Sequence, residues 1–307
     1  MNLMIELIRS TFLAAVPILL ASLGGTYTYY ADIFNIAMEG MLLIGAFAAV
    51  LGSYFSGSWF IGLLAGISGG ILAALIFTLF AVYLKTDEFV TGIALNLFAL
   101  GATTYLLRQI FSVKGAFASS EIVALPNWHI PIIDKIPILG ELLSGYPFLL
   151  YITFLIAILV EFHIFKTSFG LRLRATGEDD STVDSVGINS NLIKSKAILL
   201  SGLLSGLGGV FLSLAYVNMF AENMSNGRGW IALAVIILTR GRPIGLLFMA
   251  LLFGFFDGLG FALQNTFIPS QFTQMVPYLA TLVALYFYSK KKKVESKEDL
   301  EDESMAV

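Results

Sequence analysis

Apolar residues gather into runs at roughly 5–24, 33–55, 59–84, 89–111, 148–165, 197–219 and 244–262, with a last one near 274–289. About 20 apolar residues make one helical crossing of a bilayer, so each run predicts a membrane-spanning helix. The ten residues from Trp230 to Thr239 form a shorter run, closed by Thr239-Arg240-Gly241-Arg242. As a helix they reach only about 15 Å, half a membrane, and predict a short or broken crossing. The pattern therefore predicts an all-α polytopic membrane protein of about eight full transmembrane helices plus the short one.

Composition supports that reading. Of the 307 residues, 57% are hydrophobic and 13% charged, against about 45–50% and about 25% in soluble domains. Eleven of the charges fall in the last 18 positions. A net charge of -3 offers no basic face for nucleic acid, and the absence of cysteine excludes disulfides and thiol chemistry. No G-x-x-x-x-G-K-[ST] loop is present, and the two histidines, His129 and His163, stand alone, so neither nucleotide hydrolysis nor a metal centre is expected. The amino end lacks a basic leader and runs through Pro17 into more apolar sequence, which reads as an uncleaved helix.

Basic residues set the expected orientation. Lys166, Arg172, Arg174, Lys194 and Lys196 share one loop, Lys290 to Lys293 and Lys297 share the tail, and Arg240 and Arg242 flank a turn. The positive-inside rule places these in the cytoplasm. The chain then divides into one transmembrane domain over 1–289, with a Pro-rich extracytoplasmic loop at 112–147 and a cytoplasmic loop at 166–196, and a charged cytoplasmic tail at 290–307. The amino terminus is expected outside.

Small residues four apart, as in Gly62/Gly66/Gly70, Gly202/Gly206 and Gly254/Gly258, suit close helix approach in lipid. Three polar elements interrupt the apolar runs. Glu39, near Asn35 and Asp32, must face a cavity, a helix partner or a backbone break at Gly40, or else pin neighbouring amides beside a helix start capped by Asp32. Asn96 reads a ligand's hydroxyls or bonds another helix. Asp257 reads as an interhelical contact. The first alternative for Asn35, Glu39 and Asn96 would put them on a translocation pathway.

The loop from Leu171 to Ile188 begins basic, passes through Glu178-Asp179-Asp180-Ser181 and ends near Gly187. Acidic and hydroxyl residues suit a helix amino end and glycine its carboxyl end, which predicts a helix of two to three turns within Gly177 to Ile188. It would project between two crossings as a docking knob.

Arg-Ala-Thr-Gly-Glu-Asp followed by Asp184-Ser185-Val186-Gly187-Ile188 closely resembles the coupling loop of permease subunits of ABC importers, in the branch of branched-chain amino acid, ribose-type sugar and nucleoside permeases. Phe34 to Phe47, Gly92 to Leu97 and Gly227 to Ala234 look like the nucleoside-type members, and the likeness runs over about residues 10–288. Where that pattern carries a proline and alanines, this chain has Asp180, Ser181 and Thr182.

The resemblance implies a permease subunit of an ATP-driven importer, for purine or related nucleosides, in the bacterial plasma (inner) membrane. It implies no cofactor in this chain, with ATP held on separate ATPase subunits. A second, unlike permease subunit, an extracytoplasmic substrate-binding lipoprotein and membrane lipid would be its partners. With no extra amino-terminal span, the chain looks like the shorter of two unlike permeases. Coupling to the ATPase would rest on Gly177, Glu178, Asp179, Asp180, Val183, Asp184, Val186, Gly187 and Ile188. Val183, Val186 and Ile188 supply apolar contacts, and Glu178 and Asp179 stand at the helix amino end. Simple sugars and branched-chain amino acids are the rival substrates. A secondary transporter with a proton relay through Glu39, Glu161 and Asp257 is the rival mechanism.

Overall fold

The computed structural model describes residues 2–129 and 144–263. The run near 274–289, the tail at 290–307 and part of the loop at 112–147 lie outside the described residues. Within them, seven helices are long and apolar enough to cross a membrane, joined by one shorter apolar helix.

The first helix, α1, runs over Asn2–Tyr30, well past the end of its apolar run near position 24. Gly24 and Gly25 look like a stop but are contact points. A Cβ on Gly24 would stand 2.9 Å from the Ser201 carbonyl oxygen, and one on Gly25 would stand 2.5 Å from Ile236 and Met38. Thr26 and Thr28 return their hydroxyls to the carbonyls of Ser22 and Gly25, so the buried end of the helix carries no orphaned hydroxyl there.

Residues 31–37 follow as a non-helical stretch in which Ala31, Ile33, Asn35, Ile36 and Ala37 are buried while Asp32 and Phe34 are exposed. Helix α2 starts only at Met38 and ends at Ser56. Its expected cap, Asp32, sits in a left-handed turn at φ 53° and does not cap it. The side chain of Asn35 instead accepts from the Ala37 amide. Helix α3 (Trp59–Thr78) ends in a π-turn at Leu79–Tyr83, and α4 covers Glu88–Phe111 with Asp87 as its cap.

After the loop come α5 (Phe148–Lys166) and two short helices, α6 (Ser168–Glu178) and α7 (Asp180–Ser185). Helix α8 (Ser190–Phe211) is capped by Asn189 and also ends in a π-turn, at Leu212–Tyr216. The half-length helix α9 spans Arg228–Thr239, and α10 spans Pro243–Leu263 with proline in its first turn.

Helix α8 is the hub, packed against α1, α2 and α3, while α10 lies against α1. Burial along it explains its glycines. A Cβ on Gly206 would lie 2.8 Å from the Gly66 carbonyl oxygen, and one on Gly45 would lie 2.7 Å from Gly206 Cα, so backbones of α2, α3 and α8 touch. Gly254 of α10 meets the Thr11 carbonyl of α1 in the same way. At the end away from Arg172 and Arg174, two antiparallel pairs tie the loops together: β1 (Ala116–Phe117) with β4 (Phe220–Ala221), and β2 (Asn127–Trp128) with β3 (Tyr146–Pro147).

Candidate functional site

Two constellations stand out. The first is a junction inside the bundle. Asn96 lies eight residues into α4, about 12 Å along it. Its side-chain oxygen accepts from the Gly40 amide at 2.8 Å, and its amide donates to the Ile36 carbonyl at 3.1 Å. The start of α2 is thereby fixed well inside the apolar layer. Asn35 donates to Ser201 Oγ of α8 at 2.9 Å while holding the Ala37 amide at 3.1 Å.

Glu39, 8% exposed, reaches across to α9, whose first amides it binds: Gly227 N to Oε1 at 2.8 Å and Gly229 N to Oε2 at 2.6 Å. The amino ends of α2 and α9 thus converge on one carboxylate. Its negative charge offsets the positive ends of both helices, and the amides in turn replace the water a buried carboxylate needs. From there α9 descends about 18 Å. It ends at Thr239, and the carbonyl of the capping residue Arg240 accepts from Tyr30 Oη. The three residues expected on a pathway are therefore brought together, and each one shapes backbone.

Arg228, in the first turn of α9, pairs with Asp257 of α10 at 2.7 Å, and both side chains are largely buried. This gives Asp257 the interhelical contact read from the sequence; Arg228 was visible there only as part of a motif. The carboxylates of the rival relay are engaged separately. Glu39 is fixed on amides, Asp257 on Arg228 and Glu161 on α5, with no hydrogen bond joining them.

The second constellation is the short α7 between two crossings. The expected helix over Gly177 to Ile188 needs correction. Gly177 and Glu178 end α6, where a Cβ on Gly177 would run into the Tyr30 carbonyl, and α7 itself is only six residues. The amino end belongs to Asp179. Its Oδ1 accepts from the amides of Ser181 at 3.0 Å and Thr182 at 3.3 Å, and its carboxylate also binds both hydroxyls. The Thr182 and Ser181 hydroxyls, followed by the amides, hold the Asp179 carboxyl down to about 2. Proline and alanines at 180–182 could not supply those hydroxyls, so the departures from the family pattern have a local purpose.

The knob is hung on α8. Asp184 accepts from the Ser190 amide at 2.8 Å and hydroxyl at 2.9 Å, which lowers its pKa, and Asp180 pairs with Lys194 at 2.9 Å. Gly187 turns the chain at φ 82°, with its amide on the Asp184 carbonyl, and Ile188 N returns to the Val183 carbonyl. Val183 points inward at 5% exposure, contrary to the apolar docking contact expected of it, because a six-residue helix needs one side chain packed on the body. Val186, 69% exposed, is the outward apolar group, and Ile188 is half-buried.

Comparison with known proteins agrees with this architecture. The family model described as branched-chain amino acid transport system / permease component matches residues 7–285. The guanosine ABC transporter permease protein NupQ of Bacillus subtilis (strain 168) is 33% identical over 91% of this chain and 90% of its own. The nucleoside ABC transporter permease protein NupC of Lactococcus lactis subsp. cremoris (strain MG1363) is 32% identical over 93% and 92%. A solved ABC transporter in an inward-facing conformation superposes with a TM-score of 0.54 at 17% identity, covering 92% of this chain and 85% of that one, a likeness of fold. The chain belongs to the family of permease components of branched-chain amino acid type transport systems.

Proposed function

We propose that this chain is the membrane-spanning permease subunit of an ATP-driven importer of purine or related nucleosides in the bacterial inner membrane. Similarity to two permeases named for guanosine and nucleoside transport supports the substrate class. The observation that carries the mechanism is the suspension of α7 from α8 through Asp184–Ser190 and Asp180–Lys194. A knob tied to the hub of the bundle converts a push from below into movement of the helices that line the path.

In this reading the end bearing Arg172, Arg174 and Lys194 is cytoplasmic. Separate ATPase subunits dock there against Glu178, Asp180 and Val186. A second, unlike permease completes the path, and an extracytoplasmic lipoprotein delivers the substrate. The chain performs no covalent chemistry. It supplies contacts that differ between outward and inward states, and ATP hydrolysis on the partner biases the two. Asn35, Glu39 and Asn96 sit near the path as the clamp on its broken backbone.

Uptake of labelled guanosine by cells expressing the chain with its ATPase, second permease and binding protein tests this. Competition by unlabelled adenosine and inosine, with none by glucose or leucine, is the expected result. Competition by glucose or leucine alone would replace the substrate class.

A further inference from the structure

The outward faces of the crossings differ in chemistry. That of α3 carries Phe60, Ile61, Leu64, Leu72, Leu75 and Ile76, as hydrocarbon demands. Among the described crossings α4 is the least covered, with 28% of its apolar window buried against 83% for the α8 crossing. The half of α4 away from the basic end nonetheless presents Gly101, Thr104, Tyr105 and Arg108 in one row. Tyr105 is 65% exposed, and a Cβ on Gly101 would meet nothing within 4 Å.

Arg108 pairs with Glu222 at 3.1 Å, and the same carboxylate oxygen accepts from the Gly115 amide at 3.2 Å. That amide and Arg108 keep Glu222 below the usual carboxylate range. With Asn223, Leu97 and Leu100 these groups line an open cleft of about 700 Å³. An ion pair and an exposed phenol are excluded from hydrocarbon and suit water or the polar interface, so this end of α4 borders a polar space, and Gly101 leaves room beside it.

We propose that this face of α4, with Glu222 and Asn223, is a wall of the substrate path and reads an uncharged, flat, hydroxyl-bearing molecule, a nucleoside. This rests on the importer reading and adds the residues that select the substrate. The Tyr105 ring offers a platform for a base. Arg108, Glu222 and Asn223 offer donors and acceptors to sugar hydroxyls and base edges, and their charges cancel. A zwitterionic amino acid with an apolar side chain finds neither a flat partner for its body nor an unpaired charge here.

The chain has no cysteine, so Gly101→Cys gives a single thiol in a site with open space. In the assembled transporter in right-side-out vesicles, a negatively charged methanethiosulfonate should modify it, and guanosine should slow that modification. Tyr105→Leu should raise the half-saturating guanosine concentration about ten-fold, the scale of one lost stacking contact, while Tyr105→Phe stays near wild type. A thiol that reacts only with a membrane-soluble maleimide, or with neither reagent, overturns the proposal by placing the face in lipid or under a partner. Modification without guanosine protection, together with unchanged kinetics in Tyr105→Leu, overturns it as well. Protection by glucose in a transporter that carries no nucleoside would keep the aqueous wall and overturn the nucleoside reading instead.

Discussion

Glu39 and Gly229 lie 190 positions apart, yet the carboxylate of one accepts the amide of the other at 2.6 Å, and a Cβ on Gly229 would stand 2.5 Å from the Glu39 nitrogen. This contact locks two helices that both begin inside the apolar layer. Glu39→Leu removes the acceptor for two buried amides, each worth about 1–3 kcal/mol when left unsatisfied. Thermal unfolding in detergent should therefore show a large loss, whereas Glu39→Gln, keeping one acceptor oxygen, should lose less. Equal melting of Glu39→Leu and wild type would remove the lock.

Helix contact through glycine predicts a second stability effect. Gly206→Val places its side chain against the Gly66 carbonyl, a backbone atom that cannot swing aside. Overpacking of about 1–3 kcal/mol or more should reduce the yield of folded protein, measured by size-exclusion of a fluorescent fusion. Gly101→Val, where space is open, should leave the yield unchanged.

The cap of α7 predicts a pH response. Asp179 is depressed to about 2 from an ordinary value near 3.8, so its contribution is complete above pH 4 and lost as pH falls through 2. Hydrogen exchange at the Ser181 and Thr182 amides should show protection that fades between pH 4 and pH 2. Asp179→Ala should open this turn about five-fold more often at pH 7, the usual scale of a lost cap. A pH-independent exchange pattern would show the cap to be idle.

Orientation is testable because the chain holds no cysteine of its own. Both Ser120 and Ser185 are exposed, at opposite ends of the bundle. In intact cells an impermeant maleimide should label Ser120→Cys and spare Ser185→Cys until the membrane is opened. The reverse pattern would invert the topology.

Much of the fold is legible in the sequence because lipid imposes one rule on every crossing, a long apolar run, and each described run became a helix. The misses share a cause. The extent of α1 past Gly24-Gly25, the late start of α2 at Met38 and the inward turn of Val183 are each decided by a partner distant in sequence: Ser201 and Ile236, Asn96, and the body beneath α7. Buried polarity marked Asn35, Glu39 and Asn96 as special, and pinned amides were one reading of Glu39, but the pattern could not say that those amides belong to α9 or that Asn96 holds the start of α2. Arg108 and Tyr105 were hidden inside an apolar run, though an arginine there was itself a signal.

If α7 passes the stroke of a separate ATPase to the bundle, as proposed, the effect must run through Val186, the apolar side chain of this knob that stands 69% exposed. The decisive quantity is ATP hydrolysis stimulated by substrate-loaded binding protein in nanodiscs holding the full transporter. Val186→Asp is predicted to leave the subunits assembled and abolish that stimulation, since an unpaired charge enters the apolar contact. Full stimulation in an assembled Val186→Asp transporter would mean that the stroke does not pass through α7.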